Sequence, residues 1–269
     1  MQNLEEINLR IFEPCDDLRR YIKSVWFVTN QEGLKEEHSF KVLTDCCSGL
    51  VFNFGDSVTY EQDGVHNSKN HKITTMGPTR HLMKFIFKGR VRAVGIRFFP
   101  NTGHHYFSVP MEELIDKIIE TNSDHCDFAQ GLYKDLDNLD DDKDIQTCIE
   151  KALIKKIDKI QFDQKLDEII KYIDSNPEAT TQELSDTFSI SSRDIQRKFK
   201  NFVGVSPSVY ARVQKITKAK SVIAKDGDDS LTDVSHESGY FDQAHFNREF
   251  KTFMDETPKK YRNLKKKKV

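Results

Sequence analysis

The chain has 269 residues, of which 37% are hydrophobic and 31% charged, and its net charge is −2. This length suggests two domains that each bury a core. No apolar run approaches the roughly 18 residues of a membrane-spanning helix, and the first residues, MQNLEEINLR, lack the basic and then apolar order of a secretory signal. We therefore expect a cytoplasmic protein with no membrane partner.

Five cysteines, an odd number with no Cys-x-x-Cys pair, are typical of free thiols in a reducing compartment. Five Cys and His residues could be considered as metal ligands, namely Cys46, Cys47, His81, His104 and His105. Their spacing disfavours a site, because the two cysteines are adjacent and the side chains of adjacent histidines diverge on a strand. We expect no metal and no cofactor.

Charge is unevenly divided between the two parts of the chain. Residues 163–269 hold 20 Lys and Arg against 17 Asp and Glu, whereas residues 1–162 hold 21 against 26. Residues 192–225 contain nine basic residues and a single acid, Asp194. Such a stretch fits either a solvated helical surface or a nucleic-acid contact.

Residues 20–100 have the pattern of short β-strands. Apolar and aromatic segments are separated there by Gly, Asn, Asp and Pro turns, and Val94, Ile96 and Phe98 alternate as in a half-buried strand. The segments are KSVWFVTN, HSFKVLTDCC, GLVFNFG, HKITTMG, HLMKFIFKG and VRAVGIRFF. They predict a small barrel or sandwich.

The apolar spacing becomes helical around Pro110, and three helices are predicted before residue 162. An acidic stretch, 137–144, separates the last two and lacks the Gly and Glu of a calcium loop. The pair of amphipathic helices fits either ordinary packing or a dimer interface. The three apolar stripes are Met111, Leu114, Ile115 and Ile118; Phe128, Leu132, Leu136 and Leu139; and Ile145, Ile149, Leu153, Ile157 and Ile160.

An internal repeat is the strongest signal. The segment SSRDIQRKFKNFVGVSPSVY, ending at Tyr210, matches DQAHFNREFKTFMDETPKKY, ending at Tyr261, at an offset of 51 residues without a gap. Agreement at this many ordered positions of mixed chemistry is not expected by chance. The matched pairs are Ile195 and Phe246, Arg197 and Arg248, Phe199 and Phe250, Lys200 and Lys251, Phe202 and Phe253, Pro207 and Pro258, and Tyr210 and Tyr261.

Each copy also carries helix-capping signals. A capping box of Thr180 and Glu183 is expected in the first copy. The other predicted start and stop residues are Ser191, Gly204 and Ser206–Pro207 in the first copy, and Ser230, Gly239, Asp242 and Thr257–Pro258 in the second.

Two short helices joined by a tight turn, with the second rich in Arg, Lys, Gln and Asn, form a helix-turn-helix unit. The apolar face of each second helix is predicted core, and the opposite face suits the major groove, where Arg bonds guanine and Gln or Asn bonds adenine. One such helix fits a plain surface equally well, but two in register favour DNA recognition. The candidate DNA-binding residues are Arg193, Gln196, Arg197, Lys200, Gln243, Ala244, Asn247, Arg248 and Lys251.

Residues 165–263 resemble the DNA-binding domain of the AraC/XylS regulators. Ser185 and Ser235 stand where the family usually has Ala, and Asp255 where many members have Gly. The resemblance implies recognition helices in adjacent major grooves, linked by a long helix over residues 211–225. The motif residues are Leu184-Ser185, Arg197, Phe199-Lys200, Gly204 and Ser206-Pro207-Ser208-Val209-Tyr210 in the first unit, and Val234-Ser235, Gly239-Tyr240, Phe246, Arg248, Phe250-Lys251 and Thr257-Pro258-Lys259-Lys260-Tyr261-Arg262 in the second.

The segment RAVGIRFFPNTGHHYFSVPMEEL, with YIKSVWFV and GLVFNFG, resembles the sensing or assembly domain that precedes this DNA-binding domain in some bacterial regulators. We therefore predict an α+β chain: a β-rich, barrel-like domain with a helical extension over residues 1–140, a linker helix over 141–162, and an all-α DNA-binding domain over 163–269. Candidate partners are a double-stranded DNA operator, RNA polymerase, a second copy of the chain, and a small-molecule effector or protein at the N-terminal domain.

Two other functions remain open from the sequence. A DNA-alkylation repair protein can carry an AraC-like domain, but it needs clustered zinc-binding cysteines and an activated thiol, and no phosphate loop, GxSxG or HExxH motif suggests another enzyme. The alternative is a module that binds protein instead of DNA. We expect a regulator without catalytic activity. The sequence specifies neither the effector nor the operator, and it does not distinguish an activator from a repressor.

Overall fold

The fold combines an antiparallel sheet with a following array of helices, as a computed structural model of residues 6–42, 45–62, 65–69, 71–157, 161–225 and 230–266 shows. The α+β prediction is confirmed. The strands are β1 (Arg10–Phe12), β2 (Ile22–Val42), β3 (Ser48–Asn53), β4 (Val58–Gln62), β5 (Val65–Lys69), β6 (Ile73–Met76), β7 (Met83–Phe98) and β8 (Ile118–Glu120). The helices are α1 (Ala129–Asp137), α2 (Asp142–Ile157), α3 (Gln164–Ser175), α4 (Thr181–Phe188), α5 (Ser192–Lys198), α6 (Pro207–Ala224), α7 (Leu231–Glu237), α8 (Gln243–Met254) and α9 (Pro258–Lys266).

Two long strands, β2 and β7, organise the sheet, whose order is β1-β2-β7-β3-β6-β8 with the β4–β5 hairpin beside β7. Each long strand takes up two segments that were predicted as separate strands. Gly33 and Gly89 have positive φ values of 88° and 74°, and the register between the strands shifts where Leu34 pairs with Gly89. The glycines therefore bend continuous strands, where the sequence suggested turns between short ones.

The helix predicted over residues 111–118 is wrong. Met111–Leu114 forms only a 3₁₀ turn, and Asp116 has a left-handed φ of 54°. Ile118 then enters β8, where it pairs with Met76 of β6. Backbone pairing with an available strand edge overrides the helical spacing of the apolar residues here.

The amphipathic helices α1 and α2 are confirmed, and their apolar stripes lie in the core beneath the sheet. Leu132, Leu136 and Ile149 pack in one buried cluster with Phe52 and Phe98. Ordinary packing thus accounts for the stripes, and α2, predicted as a linker helix, shares the core of the N-terminal domain. Ile160, assigned to the same stripe, lies outside the described residues.

The C-terminal helices begin at the predicted caps. Ser191, Ser206 and Asp242 each accept a hydrogen bond from a backbone N–H in the first turn of α5, α6 and α8. The reciprocal capping box predicted for α4 is only half formed. Thr180 accepts from Glu183 N, but the Glu183 carboxylate accepts from Tyr172 Oη at 3.1 Å instead. Ser230 and Asp233 form the complete box, at α7.

The two domains pack against each other at both helix-turn-helix units. A π-helical turn over Phe199–Val203 continues α5, and there the Phe202 ring lies 4.5 Å from the His104 ring. Cys46 is buried in the helical core. No helix among the described residues is long and apolar enough to cross a membrane.

Candidate nucleic-acid interface

Helices α5 and α8 are the second helices of the two units, and each presents one apolar face inward. Ile195 and Phe199 are fully buried beneath the first, and Phe246 and Phe250 beneath the second. Phe202, predicted as core, is only half buried and faces the N-terminal domain. Because the inward faces are fixed, the opposite faces are fixed as well.

An ion pair anchors each of these helices at the same repeat position. Lys198 donates to Asp163, the N-cap of α3. The residue 51 positions later, Glu249, is buried and accepts from Arg212 of α6 and from Tyr240 Oη, the latter at 3.0 Å. The charge is reversed between the copies, but both pairs hold the helix against a neighbour. A plain alignment of the repeat does not reveal this role, because Lys and Glu do not match.

The structure brings the nine predicted DNA-binding residues onto these two helix surfaces. Eight are exposed, and Asn247 is half buried. Lys200 stands on the π-helical turn after α5, whereas its counterpart Lys251 stands within α8. The surfaces therefore share chemistry but differ at the C-terminal end of the reading helix.

Four cations on these surfaces are available for an anionic partner. Arg193, Lys200, Arg248 and Lys251 form no ion pair with any part of the chain that the structure describes. Arg197 instead donates to Asp194 Oδ1 at 2.7 Å, one turn earlier. Other members of the basic stretch 192–225 are structural: Lys215, for example, donates to the Gly239 carbonyl at 2.8 Å.

The candidate metal ligands do not assemble. No group of three or more His, Cys, Asp or Glu side chains lies close enough to hold a metal within the described ranges. The expectation that His104 and His105 diverge is wrong, because they lie in a 3₁₀ turn with ring centroids 3.8 Å apart. Burial, with His105 beside it, lowers the pKa of His104 to about 3; burial lowers the pKa of His105 to about 4.

A cavity of about 330 Å³ lies between the sheet and α6. Its walls are mainly apolar and include Trp26 and Phe85. Four basic side chains and one acidic side chain line it, with Thr217 and Lys220 contributed by α6; the charged set is Lys23, Lys41, Arg97, Lys220 and Asp45. No pattern along the chain predicts this cavity, because its lining comes from distant strands and a helix of the other domain.

Asp45 organises the charged end of the cavity. It accepts hydrogen bonds from Arg97 and, at 2.7 Å, from Lys23 Nζ. Burial raises the pKa of the Asp45 carboxyl, but the two cations outweigh burial and hold the pKa well below its ordinary range. Asp45 therefore stays ionised, and the two cations that share it leave an excess of positive charge at this end of the cavity.

Comparison with known proteins gives matches to both parts of the chain. Residues 184–264 match the family described as "Helix-turn-helix domain" and residues 10–120 match a domain of unknown function, DUF6597. The transcriptional activator RhaS of Citrobacter koseri is 26% identical over 102 residues, which are 37% of this chain and 36% of RhaS. RhaS of Pectobacterium atrosepticum is 30% identical over 80 residues, which are 30% of this chain and 28% of that protein. The chain thus spans about a third of the length of these curated relatives, 36% for RhaS of Citrobacter koseri.

Among solved structures, ToxT from Vibrio cholerae is similar over 88% of this chain and 98% of its own, with a TM-score of 0.49 and 11% identity. A further structure of ToxT holds an unsaturated fatty acid. A regulator with an AraC-type DNA-binding domain from Chromobacterium violaceum covers 38% of this chain and 92% of its own, with a TM-score of 0.36 and 22% identity.

Two helix-turn-helix units in register, with exposed basic and amide side chains on both reading helices, are the arrangement of a double helix-turn-helix domain. Residues 184–264 are thus similar to the helix-turn-helix domain of AraC-type transcriptional regulators, and residues 10–120 match DUF6597. The named curated relatives are transcriptional activators.

Proposed function

We propose that this chain regulates transcription by binding a bipartite DNA site, with α5 and α8 in adjacent major grooves. The observation that carries the proposal is the matched pair of reading surfaces, on which Arg193 and Arg248 are exposed and without an ion pair in the described structure. Guanidinium groups with no internal partner are suited to guanine edges and phosphates. The partners that follow are an operator duplex and RNA polymerase, in the cytoplasm.

Selection of bound sequences from a random duplex library, with the purified full chain, tests this function. A regulator of this kind should enrich two short conserved boxes about one DNA turn apart. Mapping of the occupied sites across the genome would then give the regulated genes. Retention of all sequences alike, or of none, would contradict sequence-specific regulation and favour a module that binds protein.

Residues 163–269 are proposed to be the DNA-binding domain. The boundary is supported by Asp163, which caps α3 and accepts from Lys198 of the first reading helix. A fragment beginning there should fold as a monomer and bind the selected operator more weakly than the full chain, as sedimentation and a gel shift would measure. An unfolded fragment would contradict this boundary.

The cavity between the sheet and α6 is proposed as the effector site. Apolar walls suit an apolar body, and the two cations that share the single carboxylate of Asp45, Lys23 and Arg97, suit an anionic group on the ligand. Because Thr217 and Lys220 belong to the helix that joins the two DNA-binding units, a bound ligand would contact both domains and couple its binding to that of DNA.

Decanoate is a suitable probe for the effector site, with 1-decanol as the uncharged control. Calorimetric titration of the full chain should show tighter binding of decanoate, and Lys23→Met should weaken this binding while keeping the aliphatic stem of the side chain. Equal binding of the acid and the alcohol would remove the role of the cations.

A further inference from the structure

Phe241 is the most exposed large hydrophobic side chain among the described residues, at 96% of its full accessible surface. It makes no ring contact with the rest of the described structure. Single exposed hydrophobic residues are common on protein surfaces. The position of this one is unusual, because it stands one residue before Asp242, the N-cap of the second reading helix.

The local backbone holds Phe241 outward. The turn after α7 passes through Gly239, with a φ of 79°, and the next residue, Tyr240, is buried with its ring 5.3 Å from that of Phe246. Tyr240 also donates to Glu249. With Tyr240 committed to the core and Asp242 accepting from His245 N at 2.7 Å, the residue between them points away from the domain.

The first unit solves the same turn differently. The residue 51 positions before Phe241 is Ile190, which is half buried and packs against the helical core. Ser189, the counterpart of Tyr240, is exposed and left-handed, with a φ of 52°. The inward position of the turn is thus displaced by one residue between the units, and only the second unit exposes a large apolar side chain there.

The exposed tip of α8 combines Phe241 with Ala244, three residues later and also exposed. Residues at the N-terminal end of a recognition helix contact base edges. In the major groove, the C5-methyl of thymine is the apolar group that a base presents, and Phe and Ala are side chains that contact it. We propose that Phe241, with Ala244 beside it, reads thymine methyl groups in the second half of the operator.

This inference rests on the proposed function, and it assigns Phe241 as a specificity-determining residue in addition to the nine candidates predicted from the sequence. It also explains why the second unit has Ala244 where the first has Arg193. The first half-site would be read by charge and hydrogen bonds, and the second in part by methyl contacts.

Replacement of thymine by deoxyuridine removes only the methyl group and gives a direct test. Each thymine of the second half-site in a selected operator is replaced in turn, and binding of the full chain is measured for the wild type, Phe241→Ala and Phe241→Leu. The wild type should lose about fourfold in affinity at each contacted methyl, the equivalent of one buried methylene. Phe241→Ala should bind the thymine operator correspondingly more weakly and be insensitive to deoxyuridine at that position, whereas Phe241→Leu should keep part of the discrimination.

Leu264→Ala is the matched control, because Leu264 is a 41% exposed apolar residue on α9, outside the reading helices and the cavity. It should leave both affinities unchanged, and thermal melting should show that every variant folds. The inference is overturned if the wild type binds its operator but loses no more affinity than Phe241→Ala at any deoxyuridine. It is also overturned if Phe241→Ala loses activation by RNA polymerase with unchanged DNA affinity. In both cases the proposed function stands. A chain that prefers no duplex sequence would overturn both.

Discussion

Lys41 Nζ lies 2.7 Å from Glu256 Oε1, and this ion pair joins β2 of the sheet domain to the turn before α9, 215 residues further along the chain. Both side chains are largely shielded, with 31% and 12% of their surfaces exposed. The pair therefore connects the N-terminal domain directly to the second DNA-binding unit.

Reversal of the charge at Lys41 should weaken this connection. Lys41→Glu places two carboxylates together and is expected to lower the free energy of unfolding of the full chain by about 1 kcal/mol. Lys35→Glu, on an exposed position of the same strand, is the control and should have less effect. Chemical denaturation measures both, and the exchange Lys41→Glu with Glu256→Lys should recover most of the loss. Equal effects of the two single changes would show that the pair contributes nothing.

Arg197 and Arg248 are predicted to contact base edges. Replacement of either by Ala should cost about 1–3 kcal/mol of operator affinity and relax the preference at one base pair. Neutralisation of the lysine tail, residues 265–268, of which 267 and 268 lie outside the described residues, should weaken binding to all sequences alike and flatten its salt dependence. A uniform loss from the arginine changes would identify them as phosphate contacts.

The spacing of the two half-sites should be fixed. Helix α6 is continuous over 18 residues, a length of about 27 Å, and its only proline, Pro207, stands in the first turn. An insertion of about 5 base pairs between the half-sites turns one of them to the far side of the duplex, and one of about 10 base pairs doubles the separation. Both should abolish the contacts of the second unit in gel shifts. Recovery at 10 base pairs would indicate reading units on different copies of the chain.

The interface between the domains should weaken in acid. The pKa of His104 is lowered by burial to about 3 in the folded chain, whereas an unfolded histidine titrates near 6.5. Between these values the unfolded chain binds the extra proton, so stability is complete above about pH 6.5 and is lost progressively as the pH falls toward 3. His105, with its pKa lowered to about 4, acts in the same direction.

Denaturation at pH 7, 6 and 5 measures this dependence. His104→Asn should make the decline in stability shallower, because the side chain no longer titrates. His125→Asn is the control, since His125 lies in a turn and not at this interface. An identical decline in the wild type and His104→Asn would remove His104 as the cause.

The DNA-binding units were predictable because their determinants are local or repeated. Caps such as Ser191 and Asp242 act within one turn of their helices. A repeat without gaps shows the same pattern of residues twice, so each copy supports the interpretation of the other. The barrel or sandwich predicted for the N-terminal domain was correct in its β-content, but its strands were divided wrongly. A glycine such as Gly89 ends a strand in one context and bends it in another, and only pairing across the sheet decides which.

Features that depend on residues distant along the chain could not be predicted from the sequence. Glu249 looks like an ordinary surface acid of an amphipathic helix, yet it is buried because Arg212 and Tyr240 reach it from other elements. Asn247, predicted to project freely, is half buried. The cavity, the ion pair at Lys41 and the outward turn of Phe241 likewise follow from packing between elements, for which no spacing along the chain is diagnostic.

The continuity of α6 has a consequence for how such a regulator could be controlled. A continuous helix between the two reading helices sets the distance between them. A ligand in the cavity beside α6 cannot increase that distance without breaking backbone hydrogen bonds of the helix. We therefore expect an effector to change how often the operators are occupied, and not which operators are chosen. The two reading surfaces alone would then determine which genes are targets, and the N-terminal domain would change only how strongly those genes are bound.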